Sequence, residues 1–388
     1  MIEFADHAVF DDARKHVEVD DHPRRWSLGD EWAVKRHVEP VRVAVQPRTF
    51  ARVIRQHVRG LEFELLADEH DPPEFTARPV MAFSAPNPEG VPAGNPERAP
   101  AMLSTNRAHL VAMHVAGEIA PASVPASLYD IGFDGVARIL PSVGGICLNV
   151  RVGDNAIAPA GDHIEPAVSA RAKDDRANVG FCVLACVGNT ATVLGGDAKG
   201  ETGVVTGKHG GIEHVMIDFP EQVLARLTIG DRIGIRAFGV GLTLDAPAGV
   251  SVFNCDPDFF DQLGITLRDD KLHVPVAKVV PAAIMGSGLG RATVARGDYD
   301  IQTFDPQMVA QYGLDELRFG DIVAITDADH RFGRIYRTGA VSIGIVAHGR
   351  SFIAGHGPGV TSLLTSATGA LVPVLDPGAN IATILRLR

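Results

Sequence analysis

From about residue 101 onward the apolar residues of this chain come in short β-branched runs punctuated by glycine: GICLNVRVG, NVGFCVLACVG, TATVLGG, ETGVVTG, IEHVMIDF, DRIGIRAFGVGL, GDIVAITD and GAVSIGIVAHG. Runs this short, bounded by Gly, Asn and Asp, suit strands closed by tight turns better than core helices. Helical signals are few. Three segments opening at Pro220, Pro257 and Pro306 place proline at a first helical turn, where its missing N–H leaves no bond unmade. The expected fold is therefore mainly β, a β-rich α+β chain of barrel- or sandwich-like domains with short connecting helices.

Charged residues crowd the first 100 positions and thin out after them. Between the two textures, residues 85–100 (APNPEGVPAGNPERAP) repeat proline and glycine too closely for a helix or a central strand, and they read as a linker. The expected organisation is an N-terminal accessory region of unassigned fold over 1–84, the linker over 85–100, and two β-rich domains. The first, 101–250, carries the GDHIEP and GKHGGIEH loops; the second, 251–388, carries MGSGLG, DADHRFGR and GHGPG.

With 47 acidic against 36 basic residues the net charge is -11, which disfavours phosphate backbones and anionic lipid surfaces as partners. The N-terminus lacks a basic region followed by an apolar stretch, so a cytoplasmic location is expected. Residues 351–375 contain no charged side chain, but their glycines and prolines suit a buried loop region rather than a membrane helix. Four cysteines are too few for a disulfide scaffold and are expected as reduced core thiols.

Familiar catalytic loops are incomplete. The stretch Gly203 to His209 has a short phosphate-loop spacing and lacks the hydroxyl after Lys208. Arg291 stands where a dinucleotide loop needs glycine, and Met285 where a nucleophile elbow on Ser287 needs it. What remains is a set of histidines in Gly-rich turns beside carboxylates, a combination that suits zinc, manganese or another first-row divalent metal able to activate water. Asp162, His163, His209 and His214 are the candidate metal ligands, and Glu165 the candidate base. His163 and Glu165 would share a face if residues 162–165 were extended, whereas His209 and His214 need a turn across Gly210-Gly211 to meet. Asp329 is expected to orient His330, with His348 and His356 completing the catalytic set. Lys208, Arg331 and Ser287 are candidate substrate-binding groups. The loops of His209 and His330 are expected to face one pocket.

The segment GDAKGETGVVTG resembles the small β-barrel signature of ribosome-associated domains, yet no Lys/Arg cluster interleaved with aromatics accompanies it. GDHIEPAVSA, GDAKGETGVVTGKHGGIEHVMIDFP, MGSGLGRATVARGDYDIQTFD, GDIVAITDADHRFGR and GAVSIGIVAHGRSFIAGHGPGVTSLLTS together resemble the family of domain of unknown function 4438, over roughly residues 102–375. The resemblance implies a two-part, largely β structure and carries no settled activity. The first 100 residues fall outside it. Three functions follow as expectations: a metal-assisted hydrolase of a small polar amide, cyclic amides included; a noncatalytic small-molecule binding or assembly protein; and an amidohydrolase with Thr361 or Ser362 as internal nucleophile. The expected partners are a small-molecule substrate and further copies of the chain.

Overall fold

The computed structural model describes residues 103–123, 129–292 and 294–388, together with the backbone of four short strands nearer the N-terminus. These strands, β1 (Glu31–Ala33), β2 (Arg42–Ala44), β3 (Arg55–Val58) and β4 (Leu61–Glu64), form two antiparallel pairs, β1 with β2 and β3 with β4. They belong to a first unit, Met1–Gly90, and everything below concerns the second, Val91–Arg388. The expected linker, residues 85–100, lies outside the described residues.

The second unit begins with β5 (Met113–Ile119), β6 (Asp130–Ile131), β7 (Ala137–Arg138), β8 (Val168–Arg171), β9 (Thr190–Val193), β10 (Thr202–His209), β11 (His214–Asp218) and β12 (Arg232–Ala237). Six of these close a barrel in the order β10-β11-β8-β5-β12-β9, and closure leaves no unpaired edge. Alternate residues fill its core, among them Val168 and Ala170, Ala191 and Val193, Val215 and Ile217, and Ile233 and Ile235.

The remaining strands are β13 (Val250–Val252), β14 (Thr266–Arg268), β15 (Lys271–Val276), β16 (Lys278–Pro281), β17 (Ile322–Asp329), β18 (Ile335–Val346), β19 (Val360–Ser366) and β20 (Leu371–Leu375). They build a five-stranded sheet, β13-β19-β18-β17-β16, and a three-stranded one, β14-β15-β20. All seven residues of β19 are buried, so it reads as a continuous apolar and hydroxyl run rather than an alternating one. Barrel and sheet are stitched together where Lys208 N donates to Thr361 Oγ1 at 2.9 Å and that hydroxyl donates back to Lys208 O at 3.0 Å. The expected division after residue 250 falls at the start of β13, which pairs with β19.

The strand-rich character expected from the sequence is what the chain adopts, and the proline-led helices form over Glu221–Leu224, Pro257–Gln262 and Pro306–Tyr312. Two of the β-branched runs behave differently. NVGFCVLACVG lies largely in a helix, Asp175–Leu184, because Asp174 caps the Ala177 N–H and Asn178, Phe181 and Cys182 recur at helical spacing on its buried face. GICLNVRVG is a series of turns holding one bridge, Ile146 to Val168. The four cysteines are free thiols, three of them buried. Among the described residues no helix is long and apolar enough to cross a membrane, and the uncharged stretch 351–375 supplies β19 and β20.

Candidate metal centre

His209 ends β10 and His214 begins β11; the antiparallel register sets them directly opposite each other across the glycine turn. The turn unites them on a carboxylate. Glu165 accepts from His209 Nδ1 at 2.7 Å and from His214 Nδ1 at 2.9 Å, and also from Gly144 N at 2.7 Å and Ser169 Oγ at 2.5 Å. Burial would raise the Glu165 carboxyl, but the two imidazoles outweigh it and hold the group well below the usual carboxylate range. With its oxygens committed to four donors, Glu165 is suited to fixing rings rather than to the base role expected of it.

Asp162 plays the same part for His163, whose Nδ1 it binds at 2.7 Å while also accepting from Ser351 Oγ at 2.9 Å and Phe352 N at 2.7 Å. Burial opposes ionisation of Asp162, yet these donors bring its carboxyl down to about 2. His163 has φ 55°, so residues 162–165 are not extended and the shared face expected for His163 and Glu165 does not form. A fourth ring, His348, follows β18 and donates Nδ1 to Gly349 O at 3.0 Å.

Of the four imidazoles whose Nδ1 is tied to an acceptor, His163, His209 and His348 turn Nε2 towards a common space while His214 only braces Glu165, the arrangement in which a carboxylate or carbonyl behind a histidine fixes a metal ligand. The rings lie together: centroids are 3.9 Å apart for His209 and His348, 5.2 Å for His163 and His348, and 5.6 Å for His163 and His209. Facing them are Asp298 and Asp300. Their segment runs extended beside residues 358–360, with Tyr299 N donating to Val360 O at 3.0 Å and Ile301 N to Pro358 O at 2.9 Å, so alternate side chains share one side. Neither aspartate was singled out from the sequence, although an Asp-x-Asp pair on an extended stretch is the signal that points to them.

Two donor sets result. His209, Asp298 and His348 are all buried; in the second set Asp300 is buried while His163 and His356 are partly exposed, and in each set the donor atoms lie within 4.8 Å of one another. His348 Nε2 stands 2.5 Å from Asp298 Oδ2 and 3.8 Å from Asp300 Oδ1, linking the sets. In the outer set His356 Nδ1 is 3.1 Å from His163 Nε2 and 3.3 Å from Asp300 Oδ2. His356 is the most exposed member, so the centre opens on its side.

The donors fit a cation. Asp298 Oδ2 and His348 Nε2 are both buried without a hydrogen-bond partner, and because Nδ1 of His348 donates to Gly349 O, it is Nε2 that faces the carboxylate. Burial would raise the Asp298 carboxyl, but His348, His209 and the Gly210 N–H hold it far below the ordinary range. Glycine is also required here: a Cβ on Gly359 would lie 1.9 Å from Asp298 Oδ2 and 2.1 Å from His348 Nε2.

The other sequence candidates lie elsewhere. His330 is buried with Nδ1 2.7 Å from Ser362 Oγ, and no hydrogen bond or ion pair among the described residues joins it to the centre, contrary to the shared pocket expected with His209. Asp329 does not orient it, because the Asp329 carboxylate is taken by Arg331 at 2.8 Å. Lys208 points inward to Asn254 Oδ1 at 2.6 Å and Ala295 O at 2.7 Å, and burial brings its amine down to about 8; it is a structural tie rather than a substrate anchor. Ser287 works through its backbone, accepting from Asp300 N at 3.0 Å and donating to Gly355 O at 2.7 Å, which fastens the aspartate segment to the His356 loop. An apolar groove of about 490 Å³ that includes Val183, Phe253, Arg296 and Arg331 contains none of the donors.

Two family models match the chain: Domain of unknown function (DUF4438), N-terminal, over residues 129–261, and its C-terminal counterpart over residues 262–385. All six donor residues fall inside these spans. The chain is also similar to a solved structure titled "Crystal structure of TM1086", with 46% identity over 73% of this chain and 99% of that one, and a TM-score of 0.70. No curated protein matches.

Proposed function

The chain belongs to the DUF4438 family through both of its parts, and from that premise we propose that it is a metal-assisted hydrolase of a small polar amide, cyclic amides included. The observation that carries the proposal is the buried pair His348 Nε2 and Asp298 Oδ2, unpartnered and 2.5 Å apart, with His209 completing a three-donor set. Imidazole and carboxylate donors suit zinc or manganese. Such an ion would polarise an amide carbonyl and activate water.

The chain's own residues have separable tasks in this reading. Asp162, Glu165 and Gly349 O hold the three rings in one tautomer. Asp298 and Asp300 supply negative charge against the ion. His356, hydrogen-bonded to Asp300 at the open side, is placed to pass a proton to a leaving nitrogen. The acidic net charge and the lack of a basic, aromatic-interleaved run in the sequence support a small-molecule substrate over nucleic acid or membranes.

The alternative nucleophiles fit less well. Thr361 Oγ1 is occupied on both sides by the Lys208 backbone, and Ser362, though paired with His330, is buried within β19. The test is a panel of linear and cyclic amides assayed with and without chelator. Activity that disappears on chelation, returns with zinc or manganese, and is absent from His209→Ala supports the proposal. Activity indifferent to chelation overturns it.

A further inference from the structure

Arg334 is 1% exposed and is the bulkiest fully buried side chain among the described residues. Its backbone is pinned by Gly290 N donating to Arg334 O at 2.8 Å and by Arg334 N donating to Arg291 O at 3.2 Å. Yet among the described residues no carboxylate forms an ion pair with its guanidinium, and Nε and Nη2 are buried without any hydrogen-bond partner. A buried charge left unpaired is among the least favourable arrangements a fold can hold.

The identity of the two orphaned atoms is informative. Nε and Nη2 form one edge of the guanidinium, where two N–H bonds run parallel, and that edge matches the two oxygens of a carboxylate. A third buried orphan lies nearby. His330 Nε2 also lacks a partner, and both side chains pack around Tyr299, the His330 ring centroid 5.5 Å from that of Tyr299 and Arg334 Cζ 5.9 Å from it. His330 Nδ1 is 2.7 Å from Ser362 Oγ, which makes no other hydrogen bond among the described residues, so Nδ1 is occupied and Nε2 is the ring atom left to a ligand; it donates in the tautomer in which the serine hydroxyl gives its proton to Nδ1. Burial, followed by the Arg334 charge, pushes the His330 imidazole down to about 3, so the ring is neutral. On the extended segment Tyr299 alternates with Asp298 and Asp300; the charges of both aspartates reach Arg334, although neither forms a hydrogen bond or ion pair with its guanidinium.

We propose that Arg334 and His330 form an enclosed subsite for the carboxylate of a small ligand, held two-pronged on the Nε–Nη2 edge with His330 Nε2 as a further donor. None of its atoms belongs to either metal donor set, so the subsite stands whether or not the hydrolase reading does. Arg334 and His330 are almost fully shielded from solvent, and the acid is therefore compact.

The full chain, first treated with chelator, is titrated with sodium acetate against sodium chloride at equal ionic strength, with phosphate as a second anion. Binding is read by Tm and by line broadening of ¹³C-acetate. The expected result is a saturable acetate response beyond that of chloride, unchanged by chelation, and weakened at least tenfold in Arg334→Lys, which keeps the charge and loses the fork. Ser362→Ala, which releases the His330 ring, should weaken it as well and serves if the arginine variant does not fold. An acetate response no greater than chloride, one that phosphate alone produces, one lost on chelation, or one retained in both variants overturns the proposal.

Discussion

His348 Nε2 and Asp298 Oδ2 approach to 2.5 Å in the space left by the absent side chain of Gly359. A methyl group there would overlap both atoms. Gly359→Ala should therefore leave circular dichroism close to that of the parent while metal content falls to less than about a tenth, since the donors must separate to admit the new carbon. Elemental analysis of the two proteins purified side by side checks this.

Glu165 touches no part of the donor sets except through His209. Glu165→Gln keeps the shape and removes the charge that fixes His209 and His214, so metal affinity should weaken by about 10- to 100-fold. The two rings would also face an amide that offers one acceptor, at a cost of about 1–3 kcal/mol. A metal-buffer titration and urea unfolding read the two effects separately.

Acid stability carries a signature of His330. Its folded-state value of about 3 lies below the ordinary 6.5, so between those limits the unfolded chain binds a proton that the folded chain does not. Stability should therefore be complete above about pH 6.5 and decline as pH falls towards 3, with a slope from this one group of up to about 1.4 kcal/mol per pH unit. His330→Gln should flatten the decline, as measured by urea unfolding from pH 4 to 7. Asp162, at about 2 in the fold, adds its own loss only at lower pH.

A chain beginning near Met102 should fold by itself. The first unit ends at Gly90, and the similar solved chain matches over 99% of its own length while covering 73% of this one. A cooperative thermal transition and retained metal content are the expected outcome; an insoluble or molten product would contradict it.

Much of this could be read from residue order, and the exceptions have physical causes. Short runs bounded by glycine report strands because both period and length are local. The helix Asp175–Leu184 escaped because a continuous apolar run fits a helix face as well as a buried strand, and the Asp174 cap decides between them. The histidines announced themselves by their glycine turns, but which of them bind and which brace depends on ring orientation. His214 faces Glu165 only once β10 and β11 are paired, and His163 turns inward through a left-handed backbone that the sequence does not signal. Asp298 and Asp300 become donors only when residues 358–360 pair alongside them and bring His348 and His356 within reach.

The most direct test is a crystal of the chain grown without chelator, with zinc or manganese supplied, and measured at that metal's absorption edge. An anomalous peak enclosed by His209, Asp298 and His348, and absent from a crystal of Asp298→Asn, is the predicted result. A map with no peak among these three residues, or with peaks only at surface histidines, would contradict the account.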